Sequence, residues 1–173
     1  MLITFLSRLL WLLVLIALQM LVFNHIHLLG YATALPYVYL LMLMPKDTPR
    51  WQLLLWGFAG GLAADVVSLT PGVGAGAMTV TAMAQPSLLR LFEPKDAPAD
   101  LEPSLADMGV APYMRYAAAM VLLFCTAYFA LLAFSFFHLR DLALSLVSTF
   151  ALTLAVCLSL EALRKQPQQH GRL

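Results

Sequence analysis

Charge is what this chain has least of. Only 11% of its 173 residues are Asp, Glu, Lys or Arg, where a soluble domain carries about a quarter. With 62% of residues hydrophobic, too little polar surface is left to cover one water-soluble core, so the composition points to a membrane protein. The formal net charge of +1 excludes the basic surplus of a nucleic-acid binder, and no acidic tail is present. Cysteine is nearly absent: Cys125 and Cys157 both lie inside apolar runs, which excludes a loop disulfide framework and fits small core residues of low reactivity. No CxxC, HExxH or clustered His and Cys set occurs, so neither a metal nor a cofactor is expected.

Long apolar runs are what the chain has in abundance. A helix needs about 20 apolar residues to cross a bilayer core, and six runs approach that length. They are Leu2 to Phe23, Leu28 to Met44, Trp51 to Thr70, Gly72 to Phe92, Tyr113 to Phe137 and Leu142 to Leu163. The expected fold is an all-α integral membrane protein, a bundle of six transmembrane helices forming one domain over residues 1–165 with a short tail at 166–173. A cleaved signal peptide competes for the first run, with Ala32-Thr33-Ala34 as its small-x-small triplet. That triplet lies well beyond the apolar stretch and five spans follow it, so a retained helix is expected.

Orientation follows from the cations. With the N-terminus inside, Arg8, Lys46, Arg50, Arg90, Lys95, Arg115, Arg164, Lys165 and Arg172 face the cytoplasm and only Arg140 faces out. Both termini are then cytoplasmic, and the outer connections are too short to form a domain. The one sizeable loop, 93–112, is cytoplasmic and carries Glu93, Asp96, Asp100, Glu102 and Asp107 against Lys95. Its Leu101, Leu105 and Met108 recur at helical spacing, and Ser104 with Asp107 three residues on forms a capping pattern. Two readings stand: a solvated proline-rich linker, or a surface helix that docks a cytoplasmic partner through Asp100, Glu102 and Asp107.

One acid sits within the spans' most glycine-rich stretch, GFAGGLAADVVSLTPGVGAG from Gly57 to Gly76. On a helix Gly57, Gly61 and Asp65 share one face, with Ala64 and Ser68 beside them. Such a face lets another helix approach closely and aims Asp65 at protein rather than lipid. A proton relay or a catalytic carboxylate pair needs further titratable groups, and the runs offer only Glu161 near a helix end. The favoured reading has Asp65 accept from backbone amides at the start of the next helix, across the sharp turn that Pro71-Gly72 permits. Gly72, Gly74 and Gly76 superficially echo a nucleotide-binding loop, yet no strand precedes them and no lysine follows. Close helix packing explains them better and adds Gly76 to the packing set.

Gln85-Pro86 frees a carbonyl in the fourth span and predicts a kink. His25, His27 and His138 belong to short outer loops, where interfacial hydrogen bonding is the plain expectation. Trp11, Trp51, Trp56, Tyr31 and Tyr113 fall near span ends, as interfacial anchors do.

Three stretches together resemble the MreD family of bacterial rod shape-determining membrane proteins: NHIHLLGYATALPYVYLLMLMP, GFAGGLAADVVSLTPGVGAGAMTVTAMAQPSLLRLFEPKD and LEPSLADMGVAPYMRYAAAMVLLFCTAYFALLAFSFF. They cover most of residues 24–137. The resemblance implies a non-enzymatic inner-membrane component of the cell-elongation complex, working with MreC, the actin-like MreB, the glycosyltransferase RodA and a class B penicillin-binding protein. It also implies a bundle similar to the substrate-binding subunits of energy-coupling-factor vitamin transporters. By the match, Gly57, Gly61, Asp65, Pro71 and Gly72 carry over as packing or interaction residues, and nothing catalytic does. Two alternatives are weighed against the scaffold. A vitamin-type transporter subunit needs polar groups lining a cavity, but Asn24, His25, His27, Thr70 and His138 cluster by loops. An intramembrane enzyme needs a nucleophile and base, or a metal.

Overall fold

The computed structural model describes residues 2–19, 35–68, 70–93, 103–132 and 139–164, and among them the chain is all helical. Helix α1 spans Leu2–Leu18. A 3₁₀ turn at Pro36–Val38 runs directly into α2, Tyr39–Met42. Then come α3, Arg50–Ser68; α4, Val73–Phe92; α5, Leu105–Met108; α6, Val110–Leu132; and α7, Leu139–Arg164. Among the described residues, α6 and the Leu144–Arg164 part of α7 are long and apolar enough to cross a membrane. Helices α3 and α4, of 19 and 20 residues, match a bilayer in length. Their glycines, Asp65 and Gln85 lower their average hydropathy.

The expected second span differs most from expectation. Within Leu28 to Met44, residues 28–34 lie outside the described part, and the helical portion is only Pro36–Met42. Two prolines bracket it. Pro36 holds the preceding Leu35 out of the helical region at φ −120°, and Pro45 does the same for continuation past Met44. Every residue from Leu35 to Met42 is buried, so the described part of this expected span lies at the axis of the core and faces protein rather than lipid. A helix that is apolar all round belongs in such a place. It touches α1, α3, α4 and α7, and the Leu35 N–H donates to Thr153 Oγ1 of α7 at 3.2 Å.

Around that axis α3 packs on α4, α4 on α6 and α6 on α7. Helix α6 starts three residues earlier than expected, because Pro112 falls in its first turn, where a missing N–H costs nothing. Helix α4 runs unbroken through Pro86, and Gln85 Nε2 donates to the Met44 carbonyl at 3.4 Å. Lys46 and Glu93 pair at 2.9 Å, joining the α2–α3 connection to the end of α4.

Some aromatics are not the anchors expected of them. Tyr113 and Trp56 are buried in the core, and Trp11 stacks edge-on against Tyr39 at 5.9 Å between ring centroids. Only Trp51 is widely exposed among the described members of that set; Tyr31 lies outside the described residues. Cys125 and Cys157 are buried free thiols.

Candidate functional site

Asp65 sits one turn before the end of α3, and its carboxylate receives four donors. Oδ1 accepts from the Gly74 N–H at 2.7 Å and from the Thr70 hydroxyl at 3.2 Å. Oδ2 accepts from the N–H groups of Gly72 and Ala75, each at 3.0 Å. A helix start has amides without intrahelical partners and a partial positive charge. Here the preceding helix supplies the cap, as its sequence position predicts. The residue is 3% exposed, so the donors replace water almost completely.

Two glycines make this geometry possible. A Cβ on Gly74 would stand 2.5 Å from Asp65 Oδ1, and one on Gly61 would stand 2.5 Å from the Gly74 carbonyl oxygen and 2.6 Å from Ala75 Cα. Gly61 therefore brings the first turn of α4 against the α3 backbone, and Gly74 lets the carboxylate reach the amides. Gly57 continues the contact against Ala82 and the Met78 carbonyl. Gly76 faces Leu131 of α6 instead. The sequence pattern reserves the Gly57 and Gly61 face for a close helix neighbour, and α4 of the same chain occupies it.

At the corner, Pro71 and Gly72 are exposed. Gly72 has φ +86° with nothing near its would-be Cβ, so only backbone conformation selects glycine there. Gly72→Ala is expected to cost about 1–2 kcal/mol from left-handed strain alone, read as a small drop in thermal midpoint.

A second buried carboxylate, Glu161, joins groups from three elements. Oε2 accepts from the Tyr39 hydroxyl at 2.6 Å, Oε1 accepts from the Leu105 N–H at 3.2 Å, and Arg164 Nη1 lies 3.9 Å from Oε2. The sequence marks Glu161 only as an acid near a helix end. Its hydrogen-bond partners Tyr39 and Leu105 are 122 and 56 residues away, beyond any local pattern. The loop helix α5 is capped as the Ser104 and Asp107 spacing predicts: Ser104 Oγ accepts the Asp107 N–H at 3.1 Å and donates to its carboxylate at 2.9 Å. Asp107 is exposed, while Met108 is buried. Asp100 and Glu102 lie outside the described residues, as do His25, His27 and His138.

The two buried acids thus stand in different parts of the bundle, each bonded to backbone amides and hydroxyls. Among the described residues no three His, Cys, Asp or Glu side chains gather as a metal site would require. Neither a family model, nor a curated protein, nor a solved structure matches this chain.

Proposed function

We propose that the chain is a non-enzymatic scaffold of the cell-elongation (rod) complex in the bacterial cytoplasmic membrane. In this reading six spans place both termini and the acidic loop inside, and the protein couples MreC and MreB to RodA and a class B penicillin-binding protein. The sequence resemblance supplies these partners. What supports a membrane bundle that works by contact is the inverted patterning of α3. Its small and polar residues, Gly57, Gly60, Gly61, Ala64 and Asp65, are buried, while Trp51, Leu55, Phe58, Leu62 and Val66 face outward along one stripe. In water each outward side chain would forgo about 1.5–3 kcal/mol of burial. In lipid that cost vanishes, and close packing of small residues becomes the source of stability.

The buried acids support the non-enzymatic part of the reading. Asp65 and Glu161 each hold backbone groups in place, structural work of the kind a scaffold asks of buried carboxylates. Depletion in cells tests the proposal. Rounding of rods with loss of MreC assembly is the expected outcome; normal shape together with a new vitamin requirement would point to the transporter subunit instead.

The loop offers a second, independent check. Replacing Asp100, Glu102 and Asp107 by Lys inverts the charge a basic cytoplasmic surface would meet. Partner recovery is expected to fall on the order of tenfold or more, with little loss of stability because Asp107 is exposed. Undiminished recovery and normal cell shape would remove the loop from the interface.

A further inference from the structure

Two arginines stand together at one end of the α3–α4 hairpin. The Lys46–Glu93 pair ties the approach to α3 to the end of α4, and the glycine contacts set the register between the helices. Gly57 lies against Met78 and Ala82, and Gly61 against Gly74 and Ala75. Seven residues back from Gly57 is Arg50, which the antiparallel pairing puts level with residues 85–89 of α4, the turn just before Arg90. Both arginines are exposed, and neither pairs with a carboxylate among the described residues. Lys46, Arg50 and Arg90 against Asp47 and Glu93 leave this end with an excess of one positive charge. Apolar side chains lead away from the pair into the span. On α3, Arg50, Leu54 and Phe58 recur every four residues; on α4, Ala82, Pro86 and Arg90 do the same, with Met83 beside them. Since Gly57 and Ala82 are in contact, the two rows border one seam. Phe58 is 50% and Met83 69% exposed, so the seam is open outward beneath a cationic rim.

We propose that this seam binds one anionic phospholipid of the cytoplasmic leaflet, a phosphatidylglycerol-type phosphodiester held by Arg50 and Arg90 with an acyl chain along Phe58 and Met83. Arginine offers paired donors to phosphate oxygens, and a singly charged headgroup offsets the excess of one. Positive-inside orientation accounts for cations at this end in general, including Arg115, exposed on α6, a helix that packs on α4. It does not call for two of them over one apolar seam. The open apolar floor selects a lipid over a free phosphate ion, which has nothing to place there. The site rests on the membrane part of the proposed function and asks nothing of MreC.

Native mass spectrometry of the full chain, purified in detergent and incubated with equal amounts of phosphatidylglycerol and phosphatidylcholine, reads the site directly. The parent chain is expected to retain one phosphatidylglycerol on the order of tenfold over phosphatidylcholine. Arg50→Gln combined with Arg90→Gln is expected to bring that ratio to about one. Arg115→Gln, which removes a charge from the same end but outside the seam, keeps the preference. Both seam arginines are exposed, so thermal midpoints in phosphatidylcholine nanodiscs stay equal, which separates lost binding from lost fold. Inorganic phosphate in millimolar excess leaves the retained lipid in place; displacement by it marks a bare anion site and overturns the lipid assignment. An undiminished preference in the double variant, or a loss just as large in Arg115→Gln, also overturns it. Equal retention of both lipids by the parent chain overturns the site and leaves the membrane reading standing, whereas retention of neither contradicts that reading together with the site.

Discussion

Asp65→Ala is expected to lower stability by about 3–5 kcal/mol, a loss at the upper end for a single replacement. The substitution strands the amides of Gly72, Gly74 and Ala75 and the hydroxyl of Thr70. A buried donor left without its acceptor costs about 1–3 kcal/mol. Exposure of Pro71 and Gly72 lets water satisfy part of the set, which keeps the total below the sum. Asp65→Asn retains one acceptor oxygen but turns an NH₂ group toward N–H donors, so an intermediate loss is expected. Thermal unfolding in detergent, followed by tryptophan fluorescence, gives the ranking Ala, then Asn, then the parent chain. A midpoint unchanged in Asp65→Ala would mean that the carboxylate is not what ties α3 to α4.

Gly61→Leu is the second large effect. The atoms that a Cβ at this position would meet are the Gly74 carbonyl oxygen at 2.5 Å, Ala75 Cα at 2.6 Å and Ala75 N at 2.7 Å. All belong to backbone, so no rotamer change relieves the clash and α4 must move away. Overpacking alone costs about 1–3 kcal/mol. Here the movement also draws the α4 amides off Asp65, and the expected total for Leu is on the order of 5 kcal/mol. Gly61→Ala should give about half of that loss. Because both residues act through one geometry, Gly61→Ala combined with Asp65→Ala is expected to cost less than the two single losses added. Strict additivity, measured by the same unfolding experiment, would show that the two sites are independent.

Much of this hairpin is legible in the sequence because its causes are local. The spacing of Gly57, Gly61 and Asp65 places them on one face, and the distance from Asp65 to Pro71-Gly72 brings the acid to the next helix start. Which neighbour fills the small-residue face is another matter. Spacing says that something approaches closely, and the structure supplies α4 where the resemblance allowed either internal packing or interaction with a partner. The axial placement of Pro36–Met42 was hidden for a related reason. Apolar residues on all sides serve lipid and core alike, and only the packing of α1, α3, α4 and α7 around this short segment separates the two. Tyr113 and Trp56 show the same ambiguity: an aromatic near a span end fits an interface, yet these are buried. Glu161 was least legible. Its role depends on contacts with Tyr39 and Leu105 that no window of sequence contains.

The outward stripe of α3 and the acidic loop leave two surfaces for partners within one reading: lipid-embedded contact by large apolar side chains, and a charged contact outside the membrane. Their contributions separate by salt, since exposed charge pairs are screened at high ionic strength and apolar contacts are not.

On the proposed reading, this bundle acts by holding a neighbouring membrane protein rather than by carrying or transforming a molecule. Its most direct test is purification of the tagged chain from native membranes in mild detergent, with quantification of MreC in the eluate and of small solutes released on denaturation. MreC is expected in near-stoichiometric amount, with no bound solute. A tightly held small molecule in the absence of MreC would contradict it.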